Sequence, residues 1–210
     1  MFLLTRRGFL KHTATLAASA GLFGQTCVSN ASDSIQQNAS DIILPSFVVG
    51  NIDTETNVEF FWSASCSDTK KVLEDYILEF TKTTFLQNNA SIVFHHTAID
   101  KSEVDICLKL LSVGKDNYPS ACFQTLQWMV EKKKRITKRR IEKLLKRFGY
   151  QNDLVAPEEA LFGVYLLRKA FDGFGFTKTP ALTVNGQLIE LPSSRDEFYD
   201  TLNKQTGFIG

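Results

Sequence analysis

The sequence predicts an α/β domain whose sheet is interrupted by a helical insertion, and three observations predict it. A buried strand, an amphipathic helix and a second buried strand follow one another between residues 57 and 96. About eighty residues of helical pattern come next. Thr179-Pro180 then opens two short apolar runs joined by Asn185-Gly186, and a last helix closes the chain. At 210 residues and 43% apolar composition, with 17 Phe, the chain can bury one sizeable core. No internal repeat is visible, and no segment has the uninterrupted apolar length of a transmembrane helix.

Taken in order, Thr5-Arg6-Arg7-Gly8-Phe9-Leu10-Lys11 is a twin-arginine signature with its trailing Lys. A small, weakly apolar stretch from about Ala14 to Phe23 follows, and Ser29-Asn30-Ala31 offers small residues before a cleavage point. Residues 1–31 therefore read as an export signal leading to a bacterial periplasm, where thiols oxidise. Cys27 in the context Gly24-Gln25-Thr26 does not resemble a lipoprotein cleavage site. Residues 32–56 form a polar leader and a first strand, Phe47 to Asn51. Asn57 to about Trp62 is a buried strand by its continuous Val and Phe content. Asp68 to about Thr84 reads as one helix with Val72, Leu73, Tyr76, Ile77 and Phe80 on its apolar face. Ala90 to His96 is the next core strand, and alternation sends His95 and His96 to opposite faces of the sheet.

The insertion spans about residues 101–172. Ser102-Glu103-Val104-Asp105 opens its first helix with a capping-type pattern. Gly114-Lys115-Asp116-Asn117 breaks it, and Pro119 sits at a plausible start of the next, which runs to about Val130. Ile141, Leu144, Leu145 and Phe148 mark a further amphipathic helix ended by Gly149, and Pro157-Glu158-Glu159 starts the last of the group. After Thr179-Pro180, Asn185-Gly186 between the strands Ala181–Val184 and Gln187–Leu191 is a strong hairpin signal. A helix from about Ser194 to Lys204 ends the domain, and residues 205–210 are a tail.

Two segments carry the chemistry. Phe61-Trp62-Ser63-Ala64-Ser65-Cys66 places a lone cysteine just after a strand and before a helix, and Thr179-Pro180-Ala181-Leu182-Thr183-Val184-Asn185-Gly186 places a proline just before another strand. In this order and spacing they resemble the DsbA-like branch of the thioredoxin superfamily, from roughly Asn57 to Lys204. The resemblance implies a thioredoxin-like fold with an inserted helical subdomain, and a periplasmic thiol-disulfide oxidoreductase acting on exported proteins. It makes Cys66 the attacking thiol, at a helix start where free N–H groups and the helix dipole favour thiolate. It makes Thr179 and Pro180 the substrate-docking loop, with Pro180 in the cis form. Thr69 stands where such an enzyme carries its second cysteine, so the internal release step is missing. The Thr69 hydroxyl is expected to donate a hydrogen bond toward the Cys66 sulfur, while Asp68 opposes a second negative charge.

Two registers are open. Aligning Phe61-Trp62 places Cys66 on the nucleophile position. Aligning Val58-Glu59-Phe60-Phe61 instead puts Ser65 there and makes Glu59 the buried acid below the site. The other class of function is a redox-inactive binding module or chaperone that uses the same groove to hold extended chains.

Cys107 and Cys122 complete an odd set of three cysteines beyond the signal. They read as a structural disulfide across a helical hairpin, as buried small hydrophobes, or as resolving thiols for Cys66. No metal-ligand spacing is readable and no cofactor is implied. Residues 131–147 hold ten bases and two acids, a net +8, whereas the whole chain is +1 and becomes −2 without residues 1–31. The usual fate of such a run is a solvated helix face. In an exported protein its partners are anionic lipid headgroups or an acidic client, not nucleic acid. A redox partner protein is a further partner that the resemblance implies.

Overall fold

In the computed structural model, residues 2–3, 44–114, 116–132, 136–146 and 158–207 are described. The twin-arginine signature, Cys27, the proposed cleavage point, Lys133 to Arg135 and Gly149 lie outside them.

Among the described residues six strands form one mixed sheet: β1 (Phe2–Leu3), β2 (Ser46–Gly50), β3 (Thr56–Trp62), β4 (Ala90–His96), β5 (Ala181–Val184) and β6 (Gln187–Ile189), in the order β1-β2-β4-β3-β5-β6. β3 and β4 are parallel and every other pair is antiparallel. The two-residue β1 lies inside the segment read as a signal. β2 keeps five residues in register with β4, so the sheet does not depend on β1. β2 ends in Gly50 at φ 99°, where a Cβ would stand 2.6 Å from the Ala90 carbonyl oxygen. Only glycine fits that approach.

The strands form where continuous Val, Ile and Phe predict them. Between β3 and β4 the chain departs from expectation. Helix α1 (Ser67–Val72) continues through a π-helical turn (Leu73–Ile77) into Leu78–Phe80 and stops there. A separate short helix, α2 (Thr84–Asn89), follows. The cause is local: the Thr81 and Thr83 hydroxyls donate back to the Leu78 and Phe80 carbonyls, and Thr83 Oγ1 then accepts the Leu86 N–H to cap α2. Hydroxyl side chains offer the backbone an alternative to continuing the helix.

The insertion contains α3 (Lys101–Leu111), α4 (Tyr118–Lys132), α5 (Lys138–Lys146) and α6 (Glu158–Gly173). α3 begins one residue before Ser102, because Asp100 is its N-cap and accepts the Glu103 N–H at 2.9 Å. Asn185 (φ 50°) and Gly186 (φ 75°) make the turn between β5 and β6, as two consecutive left-handed residues allow. Ser194 caps the last helix, α7 (Arg195–Thr206).

Side-chain alternation gives the sheet two buried faces. Phe47, Phe60, Trp62, Phe94 and His96 share one, where Phe47 stacks on Phe94 at 4.8 Å and α1, α3, α4 and α7 contribute Val72, Ile106, Leu126 and Phe198 to the same core. Glu59, Phe61, Val93, His95 and Thr183 share the other by register. Phe61 packs there with Leu167 and Phe171 of α6 and with Phe176. α6 joins the layers: its Ala160 and Val164 belong to the first core, its Leu167 and Phe171 to the second. No helix among the described residues is long and apolar enough to cross a membrane.

Candidate functional site around Cys66

β3 leaves the sheet after Trp62, and residues 63–65 turn the chain into α1. Cys66 is the N-cap of that helix, with extended backbone (φ −82°, ψ 125°) and no side-chain capping bond. Its half-buried thiol donates to the Thr179 carbonyl oxygen at 3.1 Å. The Thr179-Pro180 peptide bond is cis. The next residue, Ala181, starts β5 opposite Phe61 of β3, so the sheet register itself carries the proline loop to the thiol. The lone cysteine and the Thr-Pro dipeptide thus meet in space. Thr179 is buried, and its hydroxyl has no hydrogen-bond partner among the described residues.

The expected Thr69–Cys66 hydrogen bond is not formed. Thr69 is fully buried one turn into α1, and its Oγ1 accepts the Ser63 N–H at 3.4 Å. It steadies the loop from below the helix start. The two registers also resolve into distinct positions: Cys66, not Ser65, is at the helix cap against Thr179, while the Ser65 hydroxyl meets the Ser63 hydroxyl at 3.2 Å. Glu59 is nevertheless a buried acid, on the same strand as Phe61 and Trp62. Its carboxylate accepts the Thr183 hydroxyl at 2.7 Å and lies 3.7 Å from His95 Nε2, and His95 Nδ1 reaches the Ser46 hydroxyl at 2.7 Å.

Glu103 joins the site from the insertion, a role that its place in a capping-type pattern does not reveal. Fully buried on α3, it accepts the backbone N–H groups of Ala64 and Ser65, the two residues before Cys66, and pairs with His96 Nε2 at 2.7 Å. Trp62 stacks flat on the His96 ring at 4.1 Å. Burial pushes the Glu103 carboxyl upward, but the His96 hydrogen bond and charge, with the Ser65 and Ala64 hydrogen bonds, outweigh it and hold the group below the usual carboxylate range. An acid in the first turn of a helix ordinarily reads as a helix-dipole partner. Here Asp100 serves the cap and frees Glu103 to reach across.

Cys107 and Cys122 are free and fully buried. Burial raises both thiols above their ordinary range, with the neighbouring Cys122 adding to the effect at Cys107. The Cys107 thiol points to the His96 carbonyl at 3.9 Å. Among the described residues no cluster of three His, Cys, Asp or Glu side chains could hold a metal ion. In the insertion, Val104, Leu161, Phe162 and Tyr165, with Ala98 before it, line an open apolar groove of about 560 Å³ to which Glu158 and Arg168 also contribute.

No protein-family model matches the sequence, and no curated protein matches it. Solved structures do. A thioredoxin-like oxidoreductase from Silicibacter pomeroyi DSS-3 superposes at a TM-score of 0.64 with 11% identity, over 79% of this chain and 94% of that one. The catalytic domain of Proteus mirabilis ScsC gives 0.64 and 17%, over 83% and 97%. Wolbachia pipientis alpha-DsbA1 gives 0.59 and 11%, over 77% and 91%. With the strand order, the cis proline and the inserted helices, these similarities establish that the chain has a thioredoxin-like α/β fold of the DsbA-like kind.

Proposed function

We propose that this protein is a thiol-disulfide oxidoreductase that works through the single thiol of Cys66 on exported proteins. The observation that carries the reading is the Cys66 thiol at a helix N-cap, 3.1 Å from the carbonyl of a cis Thr179-Pro180 loop. Among the solved neighbours of the same fold, alpha-DsbA2 of Wolbachia pipientis is named a thiol-disulfide exchange protein and MdbA of Actinomyces oris a thiol-disulfide oxidoreductase. The Cys66 thiolate attacks one sulfur of a client disulfide, a Cys66–client disulfide forms, and the other client sulfur leaves as thiolate. A second thiol, from the client or a redox partner protein, then attacks the mixed disulfide and restores Cys66. Electrons and sulfur balance without a bound cofactor. The position three residues on is Thr69, so release comes from outside the Cys66-x-x-Thr69 turn. Thr179 and Pro180 hold the client chain in extended form beside the sulfur.

Insulin reduction driven by dithiothreitol tests the reading. Wild type accelerates it and Cys66→Ser does not. Acceleration by both would contradict the role of Cys66, and acceleration by neither would leave the second reading, a redox-inactive module that holds extended chains. The apolar groove along Leu161, Phe162 and Tyr165 is what favours that alternative.

Export to the periplasm through the twin-arginine signal is part of the proposal, and fractionation of a chain with Arg6→Lys and Arg7→Lys tests it. So is contact of residues 131–147 with an anionic surface. α5 supports it, since Ile141, Leu144 and Leu145 are buried while Lys138, Arg139, Lys143 and Lys146 are exposed. Sedimentation with anionic vesicles should fade as the screening length falls from about 30 Å at 0.01 M salt to about 8 Å at 0.15 M. Persistence at high salt would contradict it.

A further inference from the structure

The segment that carries Cys66 is held from the helical insertion. Residues 63–66 lie between the last residue of β3 and the first of α1 and have no strand ladder of their own. Within the turn, Cys66 N–H donates to the Ser63 carbonyl at a long 3.3 Å, and Ser63 N–H reaches Thr69 Oγ1 at 3.4 Å. The stronger tether is Glu103. Its Oε1 accepts the Ala64 N–H and its Oε2 the Ser65 N–H at 3.2 Å, so both carboxylate oxygens are spent on consecutive amides of one loop. His96 Nε2 holds Oε1 at 2.7 Å, and the flat stacking of Trp62 on His96 fixes the imidazole plane. Buried N–H groups keep their partners because losing one costs the full desolvation of the group. The carboxylate therefore dictates where residues 64 and 65 sit, and with them the sulfur that follows.

We propose that Glu103 is a positioning residue for Cys66, acting through the Ala64 and Ser65 amides, and that His96 keeps it aimed. This rests on the thiol-exchange reading of Cys66. It makes α3, the first helix of the insertion, a mechanical part of the site: displacement of α3 moves the thiol against Thr179. Docked disulfide exchange needs the sulfur aligned with a client lying along the proline loop, whereas a small reagent needs only access. Misplacement of the loop therefore slows the first reaction far more than the second.

The test uses the full chain with Glu103→Gln, His96→Gln and His96→Leu. In Glu103→Gln the side-chain amide turns a donor toward one loop N–H that had an acceptor. Exchange of Cys66 with a peptide disulfide should fall at least about tenfold, while alkylation by iodoacetamide stays within about threefold. His96→Gln, which can still donate to Oε1, should keep the peptide rate within about threefold of wild type, and His96→Leu should fall with Glu103→Gln. Amide hydrogen exchange should show about tenfold or greater loss of protection at Ala64 or Ser65 in Glu103→Gln, with the β3 and β4 amides unchanged. Equal slowing of both reagents, or unchanged protection at both loop amides, would overturn the proposal. If Glu103→Gln fails to fold, the His96 pair decides by the same ratio. A wild type that is alkylated but inert to the peptide disulfide would sink the exchange reading instead, and loop protection alone would then judge the tether.

Discussion

His95 and His96 are neighbours in the chain, yet each stands with a different buried glutamate on a different face of the sheet. On one face Ser46, His95, Glu59 and Thr183 form a polar line across β2, β4, β3 and β5. Every member sits on a strand whose position the backbone ladder already sets. On the other face His96 holds Glu103, and Glu103 holds a loop that has no ladder. The first arrangement fills a polar stripe inside a sheet that would stay in register without it. The second supplies the partners of a functional segment. Two similar pairs of residues thus differ in consequence, because one duplicates what the backbone does and the other replaces it.

The comparison breaks first at Glu103. Glu103→Ala removes the acceptor of one buried and one part-buried loop amide and leaves the His96 Nε2 facing a void, so chemical denaturation should show a loss of roughly 3–5 kcal/mol. A loss under about 1 kcal/mol would mean that water or another group satisfies the loop. Thr183→Val removes one hydroxyl donor from Glu59 and nothing from the ladder, and should cost less, about 1–3 kcal/mol. If Thr183→Val proved the worse of the two, the distinction drawn between the faces would be wrong.

Acid sharpens the contrast. Glu103 is held below the usual carboxylate range in the folded chain, so its contribution is fully present above the unfolded value of about 4.3 and is lost as pH falls through its lower folded value. The stability gap between wild type and Glu103→Gln should therefore be constant near neutrality and shrink only below about pH 4.3. Urea titrations at several acidic pH values check it. A gap that stays constant down to the acid limit would mean that the carboxylate charge plays no part.

Much of the fold was legible because its signals are local. Val58 to Trp62 and Ala90 to His96 announce strands by composition, Asn185-Gly186 announces its turn, and the opposite orientations of His95 and His96 follow from strand alternation alone. The split between α1 and α2 was hidden by the apolar stripe through Phe80, which continues the helical period while Thr81 and Thr83 turn their hydroxyls on the preceding carbonyls. The meeting of Cys66 with Thr179 was legible through resemblance, yet that Cys66 rather than Ser65 caps the helix against Thr179 needed three dimensions. The partner of Thr69 is not legible, because a hydroxyl one turn into the helix can face the Ser63 amide, as it does, as readily as the sulfur. Glu103 was invisible for a simple reason. Its targets are backbone amides 39 and 38 residues away, and an amide leaves no mark in the identity of the residue that carries it.

The most direct test of the account is the fate of Cys66 after oxidation by a client. Wild-type protein is mixed with excess glutathione disulfide, acid-quenched over time and analysed by intact mass and peptide mapping. The account predicts one glutathione per chain, carried on Cys66 and persisting until a thiol is added, since Thr69 cannot release it and Cys107 and Cys122 are buried. An internal bridge between Cys66 and Cys107 or Cys122, or a chain that takes up no glutathione at Cys66, would contradict it.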